Sequence, residues 1–384
     1  MVTRVVVAPD MLRWAVERAG WDADVAARRA PRMRAWIDGD VRPTLKQLEK
    51  FAHDTHTPFG LLFLPAPPRE EVPIPDMRTF KNGAVSRPSA DLLETIYTCQ
   101  EHQSWYHEFA DEHGYSPVAF VGSATSTTSA EQVADSIRQL LHFEVEDRSV
   151  FRNTREALRG LIDRIEALGV LVKINGVVGS NTHRKLRPLE FRGFALADDL
   201  APLIFVNGAD TKAAQNFTLI HELAHLWLGT SALSEASMTL EHGETAELWC
   251  NRVAAEVLMP LAVLRSDYSG TLDTAELERL ATRYRVSTLV VLKRLHDAHF
   301  VSWDSFVELY NEELRRILAL LGERETGAGG NYYFTQPLRL SRQFAKAVIL
   351  STREGSTTYR DAYHLLGTRK HATFETLAHE LGVA

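Results

Sequence analysis

Cysteine is nearly missing from this chain, with Cys99 and Cys250 the two thiols in 384 residues. So few thiols, so far apart, exclude a disulfide framework and fit a reducing compartment. Long apolar runs are missing as well. No stretch approaches the roughly 18 uncharged apolar residues that cross a bilayer. The opening run Val5-Val6-Val7-Ala8 is too short for the core of a secretion signal, and charged helical sequence follows it. We therefore expect a soluble, cytoplasmic protein with no membrane partner. An excess of basic charge is absent too: the net charge is -7, so nothing draws the whole chain to nucleic acid. Internal repeats and long low-complexity tracts are also lacking. What remains is an ordinary folded composition, 45% hydrophobic and 24% charged, over a length that one core does not comfortably fill. Two or three domains are expected.

The first 66 residues read as a small all-α unit. Leu12, Val16 and Ala19 recur at helical spacing until Gly20 breaks the pattern. Trp36 ends a second helical stretch, and Pro43-Thr44 opens another with Leu45, Leu48, Phe51 and Ala52 on one face. Residues 67–88 form a linker carrying Pro67, Pro68, Pro73 and Pro75, a composition that favours extended chain. Helical patterns then dominate to residue 168, clearest at 130–141 and 154–168. The period changes at Val170-Leu171-Val172-Lys173-Ile174, which reads as a strand, as do 192–196 and 203–206. Helix returns at 211–228, 244–259 and 277–296. The expected class is α+β and mainly helical, with a small sheet in a catalytic domain over 89–300. After the break at Gly327, Gly329 and Gly330, a helical tail closes the chain, and 301–384 is taken as a partner-binding or regulatory region.

The pattern that carries chemistry is His221-Glu222-Leu223-Ala224-His225. On a helix, residues four apart share a face, so both imidazoles can hold one zinc ion (Zn2+). Glu222 sits between them, placed to take a proton from a water held by the metal. Two solvated histidines on an amphipathic helix are the bland alternative. Against it, Phe217-Thr218-Leu219-Ile220 and Leu226-Trp227-Leu228 flank the motif, and buried imidazoles without a partner are costly.

Hydrolytic zinc commonly takes a third protein ligand and leaves one position open. Glu247 on a later helix is the first candidate, with Asn251 on the same face to support a ligating histidine. Glu244, Glu256 and His242 are rivals. Cys250 should point about 60° away from Glu247 and reads as a structural thiol. A second His-Glu pair, His379-Glu380, reads as part of an ordinary C-terminal helix.

The run from Phe217 to His225, followed by Glu247-Leu248-Trp249-Cys250-Asn251 and Ala254-Ala255-Glu256-Val257-Leu258-Met259-Pro260, resembles the ImmA/IrrE family of metallopeptidases. The resemblance covers about residues 165–300. It implies a zincin-like domain in which His221, His225 and Glu247 bind zinc and Glu222 is the base. Many members carry a basic residue where this chain has Asn216. Family members cleave repressors or act in stress, mobile-element and toxin–antitoxin settings, which implies a regulatory or toxin-type protein as substrate.

Residues 1–66 resemble an Xre-type helix-turn-helix domain through Trp36-Ile37-Asp38-Gly39 and Pro43-Thr44. Their charge is barely positive, ten Lys/Arg against eight Asp/Glu. Arg28, Arg29, Arg32 and Arg34 form the cationic cluster that phosphate neutralisation would need. A protein-docking domain is the alternative. Two functional classes therefore stand: an endopeptidase, and a DNA-binding regulator or antitoxin that holds a partner while its zinc site is structural or latent. The basic stretch 176–187, with His183, Arg184, Lys185 and Arg187, is expected to be a solvated loop.

Overall fold

The computed structural model describes residues 3–77, 88–234, 245–322 and 332–383, without the side chains of 318–322 and 332–335. Arg78, Thr79, His242, Glu244, Gly327, Gly329 and Gly330 lie outside the described residues. The chain packs as two units. One is Met1–Pro73 with Asn82–Tyr97, and the other is Ile74–Lys81 with Thr98–Ala384. The stretch 301–384 therefore packs within the second unit.

The first unit holds α1 (Pro9–Arg18), α2 (Ala23–Arg29), α3 (Met33–Ile37) and α4 (Leu45–Asp54). Thr44 and Gln47 form a reciprocal capping box that starts α4. Met11, Leu12, Trp14, Leu48, Phe51 and Leu62 make the core, and Trp36 meets Phe51 edge-on at 6.0 Å.

Helix α5 (Ala90–Glu112) leads to α6 (Ala130–Leu140) and α7 (Thr154–Ala167). Ser129 and Asn153 accept the orphan N–H groups that open α6 and α7. Strands β1 (Leu171–Asn175), β2 (Val177–Val178), β3 (Asn181–Lys185), β4 (Gly193–Leu196) and β5 (Leu203–Asn207) follow, then α8 (Lys212–Trp227), β6 (Ala232–Ser234) and α9 (Thr245–Leu258). The main sheet runs β1-β5-β4-β6. β1 is parallel to β5, and β4 is antiparallel to both its neighbours. Every residue of β4, β5 and β6 is buried, and α8 packs on β4 and β5. Residues 215–226 of α8 are buried all round, the mark of a helix at the centre of a core. Among the described residues, no helix is long and apolar enough to cross a membrane.

The rest is helical: α10 (Leu261–Asp267), α11 (Thr274–Tyr284), α12 (Thr288–Asp297), α13 (Trp303–Gly322), α14 (Tyr332–Leu340), α15 (Arg342–Glu354), α16 (Tyr359–Leu365) and α17 (His371–Glu380). The protein is thus α+β and mainly helical, as its periodicity implies. Two local expectations need correction. The helix expected over 277–296 is broken at Arg285, which takes φ 58, and Ser287 caps a new helix by accepting from Val290 N. The expected loop at 176–187 is a hairpin of β2 and β3. Its register is set by Asn175, whose side chain donates to Gly179 O at 2.7 Å and accepts from Val177 N at 3.2 Å. β3 is largely exposed, so no apolar alternation announces it.

The tail is tied to α7 through Glu166. Its carboxylate accepts from the Ser341 hydroxyl and from Arg342 N, and its carbonyl from the Gln343 side chain. Burial pushes the Glu166 carboxyl up to about 7 from 4.5, against those hydrogen bonds. Between these values the folded protein keeps a proton that the unfolded chain has lost. The stabilisation tied to that proton is full below 4.5 and fades as pH rises through 7, by about 3 kcal/mol in all. Urea unfolding at pH 5 and pH 7.5 should show that loss in the wild type and not in Glu166→Gln.

Candidate metal centre

The site is built where α8 and α9 pack on each other. His221 and His225, one turn apart on α8, present Nε2 atoms 3.2 Å from each other. Glu247 comes from the first turn of α9, its Oε2 lying 3.3 Å from His221 Nε2 and its Oε1 2.9 Å from His225 Nε2. Both histidines are 0% exposed and Glu247 is 2% exposed. Burial by itself works to raise the Glu247 carboxyl, but the two imidazoles outweigh it and hold the group at about 2. Burial, joined by the neighbouring His221, holds His225 below its usual pKa despite Glu247. Glu247 is thus held as a carboxylate, the form that binds metal.

These residues fit a zinc ion. Neither Glu247 oxygen has a hydrogen-bond partner, close as both lie to the imidazole nitrogens. The three side chains converge on a common point without hydrogen-bonding alignment between acid and imidazole. Ligands roughly 2.0–2.1 Å from a tetrahedral centre stand about 3.3 Å from one another, and the observed separations are close to that. Two buried nitrogen donors and a buried anion match the donor set of a hydrolytic zinc site.

Glu222 is fully buried beside these ligands. Burial, and then the charge of Glu247, push its pKa well above the carboxylate range. Ser234 on β6 donates to Glu222 Oε2 at 3.3 Å, and its hydroxyl stands 3.3 Å from His225 Nε2. Glu222 Oε1 has no partner. It faces Gly193 on β4, where an added Cβ would come within 2.9 Å of that oxygen and 2.8 Å of Phe205 O. Glycine is thus what lets the strand approach the acid. Sequence reading named neither Ser234 nor Gly193. Ser234 follows the motif helix in a short segment with no periodic signal, and Gly193 offers only the general hint of a glycine inside a strand.

The other expectations resolve one by one. Glu256 points elsewhere: it is paired with Arg294 and accepts from Leu261 N at 3.1 Å. Cys250 is a free thiol buried in the main core, its pKa pushed well up by burial. Asn251 is buried beside the site, yet neither atom of its amide, nor His221 Nδ1, has a hydrogen-bond partner. Among the described residues no hydrogen bond links Asn251 to a histidine. His225 Nδ1 instead meets Thr230 Oγ1 at 3.4 Å. Asn216 is buried and donates to Arg285 O at 3.4 Å, a contact to the end of α11. Arg28, Arg29, Arg32 and Arg34 are all exposed on and between α2 and α3, far in sequence from the metal centre.

The ligand helix α9 is anchored at its far end by three arginines. Its last carbonyls are orphans of helix geometry. Arg138 donates to Glu256 O at 2.8 Å, Arg148 to Val257 O at 2.7 Å and to Leu258 O, and Arg294 to Met259 O at 2.9 Å. The Met-Pro turn after α9 is held by these cations.

Residues 165–296 match the family model of the IrrE N-terminal-like domain. The match takes in the whole sheet and α8, α9, α10 and α11, and it supports a resemblance to the ImmA/IrrE peptidases. Residues 340–380, covering α15 through α17, match a model described as a domain of unknown function (DUF8813). No curated protein and no solved structure matches the chain.

Proposed function

We propose that this protein is a zinc-dependent endopeptidase that cuts a regulatory protein partner. The observation that carries the reading is the buried convergence of His221, His225 and Glu247, with Glu222 against them and its Oε1 unpartnered. Zinc at this point supplies a Lewis acid for a peptide carbonyl and for water. Glu222 takes the proton of the attacking water and returns it to the departing amine. A raised affinity for protons favours holding the proton once it is taken, and the acid must be ionised to take it. Ser234 holds Glu222 Oε2 on the side of His225, and so orients the carboxyl beside the ligands. Glu247 stays ionised through the working range. A lysate incubated with the zinc-loaded wild type should yield new protein N-termini that do not arise with Glu222→Gln. The same set of termini from both would sink the reading.

A second reading is a DNA-binding regulator, supported by the exposure of Arg28, Arg29, Arg32 and Arg34. Arg34 keeps 94% of its side chain exposed while 3.8 Å from Asp38, so that pair does not withdraw its charge. If these four contact phosphates, replacing all with Ala lowers the salt dependence of duplex binding by a log–log slope of about 3. An unchanged slope in a filter-binding series would exclude that surface.

A further inference from the structure

Residues of the segment 75–77, read from sequence as plain linker, pair with the sheet edge beside the metal centre. Leu233 in β6 stands opposite Phe194 of β4 and directs its own N–H and C=O to the other side. Both are taken: Leu233 N donates to Pro75 O at 2.9 Å, and Met77 N donates to Leu233 O at 3.0 Å. Asp76 thereby forms a parallel bridge to Leu233, and Ile74 just before it is buried. The next residue of β6 is Ser234, whose hydroxyl touches both Glu222 and His225. The free edge nearest the catalytic acid is thus filled by the protein's own chain.

Backward from this bridge the pairing is limited for a chemical reason. Pro73 and Pro75 have no N–H, so the ladder cannot extend backward from the one bridge. An extended peptide without those prolines can form more main-chain bonds on the same edge. The four groups of the centre are at most 2% exposed, so a peptide bond reaches them only when something moves.

We propose that segment 75–77 is a removable internal strand: it occupies the β6 edge in place of a substrate's backbone, and an extended protein segment enters by displacing it. The proposal rests on the peptidase reading above. It makes the resting protein latent, and it makes unfolded or extended stretches of a partner the favoured substrates.

The test uses the full-length, zinc-loaded protein with fluorescein-labelled β-casein as an unfolded probe. Met77→Pro deletes the N–H that donates to Leu233. Loss of one such bond should speed casein cleavage about fivefold, and accelerate exchange of the Leu233 amide by a similar factor. In the Glu222→Gln background, where cleavage is blocked, Met77→Pro should tighten casein binding about fivefold. A synthetic peptide of residues 71–77 should inhibit the wild type competitively, an arm that needs no variant to fold. Faster Leu233 exchange with unchanged cleavage and binding would overturn the proposal, as would a peptide that does not inhibit. Tighter binding without cleavage by any form would instead keep the strand and remove the peptidase reading.

Discussion

Glu222→Gln is expected to lower kcat by about 10²- to 10⁴-fold while leaving zinc bound. The amide keeps the size of the acid but takes no proton from water. Its partner Ser234 and the close approach of Gly193 remain, so the shape of the centre is preserved. The proposed metal ligands His221, His225 and Glu247 are untouched by the change. Substrate binding should therefore persist, and KM should move far less than kcat. The removal of a buried group whose charge is opposed by Glu247 should also stabilise the apoprotein modestly. Stopped or continuous assays on a cleaved partner, beside zinc analysis of the same samples, separate these effects. A kcat within a few fold of the wild type would remove Glu222 from the chemistry.

Arg148→Met is expected to destabilise the protein by about 3–5 kcal/mol, the scale of leaving several buried carbonyls unpaired at about 1–3 kcal/mol each. Arg148 is 0% exposed, and its guanidinium donates to the carbonyls of Phe143, Val257, Leu258 and Tyr284. It also lies over the Phe143 ring, 4.3 Å from its centroid. Methionine fills much of the same volume but donates nothing, so four buried carbonyls lose a partner. Two of them end α9, the helix that carries Glu247, so zinc affinity should weaken along with stability. Urea unfolding and a zinc titration read the two effects separately. A loss below about 1 kcal/mol would mean that water replaces the guanidinium at these carbonyls.

The contrast between these two residues marks where sequence reading stops. Glu222 was legible because its chemistry is local: the His-Glu-x-x-His spacing is fixed by the helical turn, and the apolar flanks foretell burial. Glu247 was put first, with Glu256 and two residues outside the described segments as rivals. Helical phase separates the pair, because nine residues place Glu247 and Glu256 on roughly opposite sides of α9. Glu256 indeed turns to Arg294. Helices such as α6, α7, α8 and α9 and the β1, β4 and β5 strands of the sheet were legible in the periodicity, whereas α10 and α13 were not named and the hairpin at β2 and β3 was hidden by its polar, exposed second strand.

Arg148 had no signal at all. It sits in the charged run Glu144-Val145-Glu146-Asp147-Arg148, which reads as solvated surface. Its acceptors on α9 lie more than a hundred residues away in sequence, and nothing in its neighbours announces them. The pairing of 75–77 with β6 was concealed for a related reason. Prolines make the segment read as linker, while its two hydrogen bonds depend only on backbone atoms that every residue shares.

The central claim is that His221, His225 and Glu247 form one zinc site. It is tested most directly by metal analysis of the purified wild type beside Glu247→Ala, each after zinc loading and exhaustive dialysis. The account predicts one zinc per chain in the wild type and a substantial loss in the variant. A wild type that retains no zinc, or a variant that retains as much, would contradict it.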